Sequence, residues 1–579
     1  MSTAQPDRPA FEVTVDGTAL VPLTAADVVE IDIHEEVGRH GRCTLLVQNW
    51  DADRRAVRHS DDGPFVPGKK LAVAMGFHSD LTPVFAGVIA SITAHFPDQG
   101  RPALRVEARS ASILLEHPPR SRQLEDVSDE DVASTIAADY SLTADADAGV
   151  TRAFVVSDRV SDWDFLKARA QTLGWVLYVR DEALVMKPPA SKNSPPTLDY
   201  TTDLIELHLT QDLTYAIDSA TGVSWDIGAL EAAESEQSAS GAGIDTGDRD
   251  SHEDAIGTAG WPLRAERDET PADAAADGAD ARALGRQRDA AFAHVYGTAV
   301  ISGNPALRCD SWVEITGVGT RLSGPHYLRA VRHRLSVQGY RTELQVGKPP
   351  ALTPPPASGS GSEAARSGSL SLGVVEALDD PDSANRVKVR LPWRADNGQG
   401  VWARVAAADA GDGYGVVSIP NVGQEVLVGF VDGDAAAPVV LGQLYNGTAA
   451  PPVTIDPDKN TVRMLMTPGG HALTFDDGDS AAITVLSGKG HSIVINDADG
   501  EIVMEHKDSG NTLTISSDGI ELNAAQGDVI LTSAAGTVKI DAVKFEGKAS
   551  GPSKLESSAT FDLKASGPLG LKGALVNIN

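Results

Sequence analysis

The chain has 579 residues, with 81 acidic against 49 basic side chains and a formal net charge of -32. Such a balance argues against broad binding to nucleic acid or anionic membranes, both of which are held by lysine and arginine. The only cysteines, Cys43 and Cys309, lie in strand-like surroundings that predict buried thiols, and they exclude a disulfide framework or a cysteine-built zinc site.

Taken in chain order, residues 9–110 are strand-rich. Phe11-Glu-Val-Thr-Val, Val29-Glu-Ile-Asp-Ile and Leu104-Arg-Val-Glu-Ala alternate apolar and polar residues at period two. Two helices follow, each opened by a capping pair. Ser128 with Asp131 precedes Val132 and Ile136, and Ser161 with Asp164 opens a face of Trp163, Leu166, Ala170 and Leu173. Strands resume at Trp175-Val-Leu-Tyr-Val and around Leu204–Leu209. This first part is expected to span residues 1–230. Residues 231–280 hold fourteen acidic and three basic residues with no sustained period. That composition predicts a solvated, at least partly disordered insertion over 231–285. Strands return from His294 to Val346, within a second barrel-like part expected over 286–348, and a Pro/Gly/Ser linker occupies 349–369.

Residues 370–448 predict five short strands of a size that suits an OB-type barrel. Ten acidic against five basic residues in 371–447 point away from a groove that tracks phosphates, so the barrel is expected to be a structural collar. From 459 to 579 the chain becomes repetitive. Gly470-His-Ala-Leu-Thr-Phe, Gly490-His-Ser-Ile-Val-Ile and Gly510-Asn-Thr-Leu-Thr-Ile are spaced by twenty residues, with Asp-Gly turns between them. A turn roughly every ten residues to the last residue predicts a β-helix or β-prism, with Gly470, Gly490 and Gly510 as its turn residues. The aromatics after Gly470 are Phe475, Phe545 and Phe561, too few to build a core within one chain. Winding copies about an axis would bury the apolar faces and backbone edges. Period alone also allows a single-chain solenoid.

Three stretches carry a family resemblance. Trp402-Ala-Arg-Val, Ala410-Gly-Asp-Gly-Tyr-Gly and Ile419-Pro-Asn-Val-Gly-Gln-Glu-Val-Leu-Val-Gly-Phe resemble the OB domain of VgrG-type and baseplate-V spike proteins. Gly303-Asn-Pro-Ala-Leu-Arg, Ser323-Gly-Pro-His-Tyr and Val331-Arg-His-Arg resemble the second hub barrel of phage late-control protein D, and the C-terminal repeats resemble the VgrG needle. The resemblance implies a mainly β chain with two hub β-barrels and short helices, an OB-fold collar and a trimeric β-helical needle. It also implies the central spike of a contractile injection system, whose partners would be two further copies, the inner tube protein, other baseplate proteins and a PAAR-type tip protein. Cargo effectors are a further possibility it leaves open, and a target membrane would be met only on firing. Type VI secretion and phage spikes are alternatives within that class; a carbohydrate-binding tail fibre is one outside it. Leu569, Leu571, Leu575, Val576, Ile578 and Asn579 are expected to meet the tip protein, because apolar strand ends at a blunt terminus need covering.

No catalytic, cofactor or metal residue is expected. His34-Glu-Glu-Val-Gly-Arg-His40 lacks the second histidine one helical turn after the first, since residue 38 is Gly, and its setting is strand. His471 and His491 could form an axial ring in a trimer, but Asn511 at the equivalent position favours a plain polar residue after a glycine turn. About a dozen residues separate Gly447 from the needle strands, leaving no room for the lysozyme domain that many phage spikes carry. Met1-Ser-Thr-Ala-Gln-Pro-Asp lacks the parts of a secretory signal and no apolar run suits a membrane helix, so assembly is expected in the cytoplasm, before any release or delivery of the particle.

Overall fold

The computed structural model describes residues 8–578 except 62, 117, 215, 227–230, 245, 248–250, 260–264, 270–275, 349–369, 392–399, 432–435 and 455. The linker expected at 349–369 therefore lies outside the described residues. The chain divides into two compact units, residues 1–448 and 449–579.

Alternation in the first strands sends every second side chain inward. Val13 and Val15, Ile31 and Ile33, Leu45 and Val47, and Val73 and Met75 form one buried core with Cys43 among them. A second core collects Leu198, Ala299, Ile301, Val313, Ile315, Leu328, Val331 and Leu344. The two barrel-like halves join in one thirteen-stranded sheet, because strand Val28–Glu36 pairs antiparallel with Gly324–Ser336, Leu335 opposite Ile31. Arginines of the second half meet acids of the first along that seam. Arg332 Nε lies 2.9 Å from Asp32 Oδ1, Arg334 2.9 Å from Glu30, Arg329 2.6 Å from Glu36 and Arg308 Nε 2.7 Å from Glu35. Burial opposes ionisation of Asp32, yet the Arg332 hydrogen bond and nearby guanidinium charges hold its pKa below the usual carboxylate value.

Both predicted helix starts form as written. Ser128 and Asp131 close a reciprocal capping box on Asp129–Asp139, and the Asp164 N–H donates to Ser161 Oγ at 3.0 Å on Asp162–Thr172. Trp163, Leu166 and Ala170 are buried on the second helix against Leu177, Leu184 and Met186 of the adjacent hairpin.

The acidic segment departs from the expectation of an irregular insertion. Its described residues include strands Glu231–Ser238 and Ala265–Glu269, both paired with Ser219–Asp226, and the helix Ala276–His294, which runs through the boundary drawn at 285/286. Small residues make this possible. Ala279 and Ala283 are fully buried, and a Cβ on Gly222 would stand 2.0 Å from Ala279 O, so helix and strand touch backbone to backbone. Gln287, also fully buried, donates to Asp218 O and Gln237 O. Alanine and glycine bury little area and leave no period for a hydropathy pattern to show.

The predicted five-stranded barrel closes as Ser371–Ala377, Val387–Arg390, Val401–Val405, Pro438–Gln443 and Glu425–Phe430, with a parallel pair between the third and fourth in that order. Val375, Val387, Val389, Val401, Ala403, Val426, Val428 and Val440 fill it. Among the described residues no helix is long and apolar enough to cross a membrane.

The second unit begins with a seven-stranded antiparallel meander from Val462–Met466 to Gly519–Asn523. Beyond it, residues 524–578 form no strand or helix. The ten-residue rhythm expected to the last residue ends there. Bends fall at 534–536, 543, 550–551, 558–559, 566–567 and 574, a period of about eight. Leu555, Leu563 and Leu571 recur at that same interval, as do Phe561 and Leu569.

Candidate functional site

The repeat turns build the ends of the meander. Gly470, Gly490 and Gly510 have φ of 80°, 89° and 69°, a left-handed conformation that glycine adopts without a Cβ penalty. The residue after each glycine then does one job three times. His471 Nδ1 accepts the Gly488 N–H at 3.2 Å, His491 Nδ1 accepts that of Lys507 at 3.1 Å, and Asn511 Oδ1 accepts that of Gln526 at 2.9 Å. Asn can stand for His because its Oδ1 occupies the place of the ring Nδ1. These clasps satisfy turn donors that would otherwise face solvent. The donors at 488, 507 and 526 are backbone groups that no side-chain pattern marks.

Between the turns, pairing aligns two apolar rows across the sheet. One runs Phe475, Ile483, Ile495, Ile502, Ile515, Ile520, and the other Leu473, Val485, Ile493, Met504, Leu513, Leu522. Within one chain this face is not covered: Ile483, Val485, Ile493, Ile495, Ile502, Met504 and Ile515 remain 37–47 % exposed. Contiguous apolar surface of this extent is characteristic of contact surfaces. Thr474, Thr484 and Thr514 lie in a row on the opposite face.

Leu569, Leu571, Leu575, Val576 and Ile578 lie in the period-eight segment, 48–82 % exposed, and Asn579 lies outside the described residues. Val529, Ile530, Leu531, Phe545 and Phe561 earlier in that segment are also exposed. Its backbone finds no ladder partner among the described residues.

In the first unit the histidines of the 34–40 motif are held by other contacts. His34 lies on strand Val28–Glu36, where burial lowers its pKa against the pull of Glu36. His40 has both ring nitrogens engaged, Nδ1 2.8 Å from Ser112 Oγ and Nε2 2.7 Å from Glu116 Oε1, and its ring centroid lies 4.5 Å from that of Trp163. Serine, histidine and glutamate within hydrogen-bond reach resemble a nucleophile, base and orienting acid. Ser112 is fully buried, however, and its Oγ is 2.7 Å from Ser110 Oγ, which accepts the Gly41 N–H. The trio ties the Gly41 turn to the 3-10 helix Ala111–Glu116. Sequence reading missed it because its members stand 72 and 76 residues apart. Cys43 and Cys309 are fully enclosed thiols; burial pushes Cys309 up to about 12 and Cys43 further.

Comparison with known proteins agrees with this architecture. Residues 5–337 match the family described as Alg8 N-terminal domain, and 371–445 match the type VI secretion system/phage-baseplate injector OB domain. The actin cross-linking toxin VgrG1 of Vibrio cholerae is 38 % identical over 105 residues, 17 % of this chain and 10 % of that protein. The type VI secretion system spike protein VgrG2a of Pseudomonas aeruginosa is 38 % identical over 104 residues, 17 % of this chain and 12 % of its own length. The matches thus span about a tenth of these relatives. The Francisella PdpA–VgrG complex in its half-lidded form covers 90 % of this chain and 88 % of its own at a TM-score of 0.53 and 8 % identity, which is a likeness of fold. The chain belongs to the Alg8 N-terminal domain family and is VgrG-like, carrying the baseplate injector OB barrel behind that domain.

Proposed function

We propose that three copies of this chain form the central spike and baseplate hub of a phage-tail-like contractile injection system. The observation that carries the reading is the second unit. Two uncovered apolar rows lead into 55 residues, 524–578, that have an eight-residue bend period and no ladder within the chain. A backbone that is extended but unpaired needs strands from elsewhere. Identical copies supply them in register, since every copy bends at the same interval. The first unit would then seat the inner tube and baseplate proteins, the OB barrel would act as the collar, and Leu569–Ile578 with Asn579 would carry a PAAR-type tip. The domain divisions at 230, 285, 348, 369, 448 and 459 follow that division of labour, with the helix Ala276–His294 bridging the second of them.

The action is mechanical rather than enzymatic. Support comes from the enclosed Ser112 and from thiols whose burial keeps them protonated. Assembly would take place in the cytoplasm before firing. The test is the absolute mass of the full-length chain by light scattering. One chain weighs 60.5 kDa, so three sum to 3 × 60.5 = 181.5 kDa. A stable species of that mass is expected, and a well-folded monomer refutes the spike. Turnover of cell-wall or polysaccharide substrates by the pure protein would refute the non-enzymatic reading.

A further inference from the structure

We propose that His491, His506 and Asp508 form a binding site for a zinc-type divalent transition metal at one end of the meander. Ser492 pairs with Glu505, so His491 and His506 are the next cross-strand neighbours. Their rings stack with centroids 4.3 Å apart at an interplanar angle of 14°. Asp508 stands in the turn that follows, and one ligand atom from each of the three residues lies within 4.8 Å of the other two. His506 and Asp508 are exposed and His491 half-buried, so an ion has a path in. Lys507 Nζ, between His506 and Asp508 in sequence, lies 3.7 Å from Glu505, which offsets its charge.

Clasping does not require imidazole at 491, because Asn511 does the same work with an amide. His471, the other clasping histidine, stands beside the strand pairing of Ala472 with Leu486 and belongs to no such cluster. The second histidine and the carboxylate are what set 491 apart. Two imidazoles and one carboxylate suit zinc, nickel or copper and do not suit magnesium or calcium. His506 already has orienting partners, its Nδ1 lying 2.9 Å from Ser509 Oγ and accepting the Ser509 N–H at 3.4 Å; the ring proton then sits on Nε2 and leaves when Nε2 binds the metal. Metal–nitrogen bonds of about 2.0–2.1 Å require ligand atoms roughly 3.3 Å apart, so binding draws the three side chains together and ends the ring stack. It also has a backbone consequence. In the metal-free chain His491 Nδ1 accepts the Lys507 N–H, which places the ring proton on Nε2. Whichever nitrogen binds the metal, Nδ1 ceases to be a free acceptor and the Lys507 amide is released.

The test is a zinc titration of the full-length chain, stripped with chelator, by calorimetry. One saturable site per chain is expected, independent of oligomeric state. His491→Asn keeps the clasp and removes a ligand, so it should fold as wild type and bind about tenfold or more weakly. His506→Ala should do likewise, and His471→Asn should bind as wild type. Hydrogen exchange at the Lys507 amide should quicken on adding zinc. The absence of a saturable site overturns the proposal, as does equal affinity in wild type, His491→Asn and His506→Ala. Saturation without a change at Lys507 overturns the part given to His491.

Discussion

Ile495→Asp puts the assembly reading at its most exposed point. Ile495 sits in the first apolar row, between Ile483 and Ile502, and is 39 % exposed in the single chain. Full burial of such a side chain contributes about 1.5–3 kcal/mol, so covering the exposed part contributes roughly 1 kcal/mol per chain and roughly 3 kcal/mol over three. An aspartate there forfeits that gain and places a carboxylate in an apolar interior, at a further cost of at least ~1–3 kcal/mol for each copy. The total of roughly 6–12 kcal/mol weakens association by more than about ten-thousand-fold. Light scattering at micromolar protein should then show the variant at the mass of one chain, with the wild type at three. Thr484→Asp, in the opposite-face row, should leave the wild-type mass unchanged. An Ile495→Asp species as large and as heat-stable as wild type would refute the claim that this face is the contact.

Further outcomes follow from the turns and the hub. His471→Asn should melt as wild type, whereas His471→Ala, which strands the Gly488 N–H, should lose up to about 1 kcal/mol in chemical denaturation. Gly488→Ala brings a methyl to 2.2 Å from Gly469 O and should cost about 1–3 kcal/mol, seen as a lower melting temperature of the second unit. His333 is fully buried, lies 3.1 Å from Leu307 O and 2.9 Å from the Tyr340 hydroxyl, and burial pushes its pKa down to about 4. Unfolded, it titrates near 6.5, so its neutral form contributes fully above that pH, and about 3 kcal/mol is lost as pH falls toward 4. His333→Gln should abolish that part of the slope in denaturation series from pH 7 to 4. Both cysteines should resist thiol reagents until the first unit unfolds.

Much of this molecule is legible where large apolar residues alternate. The five-stranded barrel over 370–448 is legible because Val, Leu and Phe leave no ambiguity of face in a closed barrel. Capping pairs at Ser128 and Ser161 are local chemistry and read as directly. The segment after residue 231 misled because its helix and strands meet through Ala279, Ala283 and Gly222, where backbone proximity replaces side-chain bulk. The seam between the hub halves escaped because alternation reports which way a side chain points and not which strand lies alongside. Within the repeats the twenty-residue spacing drew the eye from the eight-residue period beyond it. Of the needle positions, Gly470, Gly490 and Gly510 announce themselves, while the His491–His506 pairing depends on register, which sequence spacing does not supply.

The seam carries a consequence for synthesis. Strand Val28–Glu36 leaves the ribosome long before Gly324–Ser336, nearly 300 residues later, and at 5–20 residues per second the wait is roughly 15–60 s. During that interval one edge of the nascent sheet lies open to any neighbouring nascent chain. Glu30, Asp32 and Glu36 stand along that edge, and like charge on two such edges opposes their pairing. The acids that later receive Arg334, Arg332 and Arg329 would thus first guard the border of an unfinished sheet. Completion of the sheet converts a repulsive border into its internal bond.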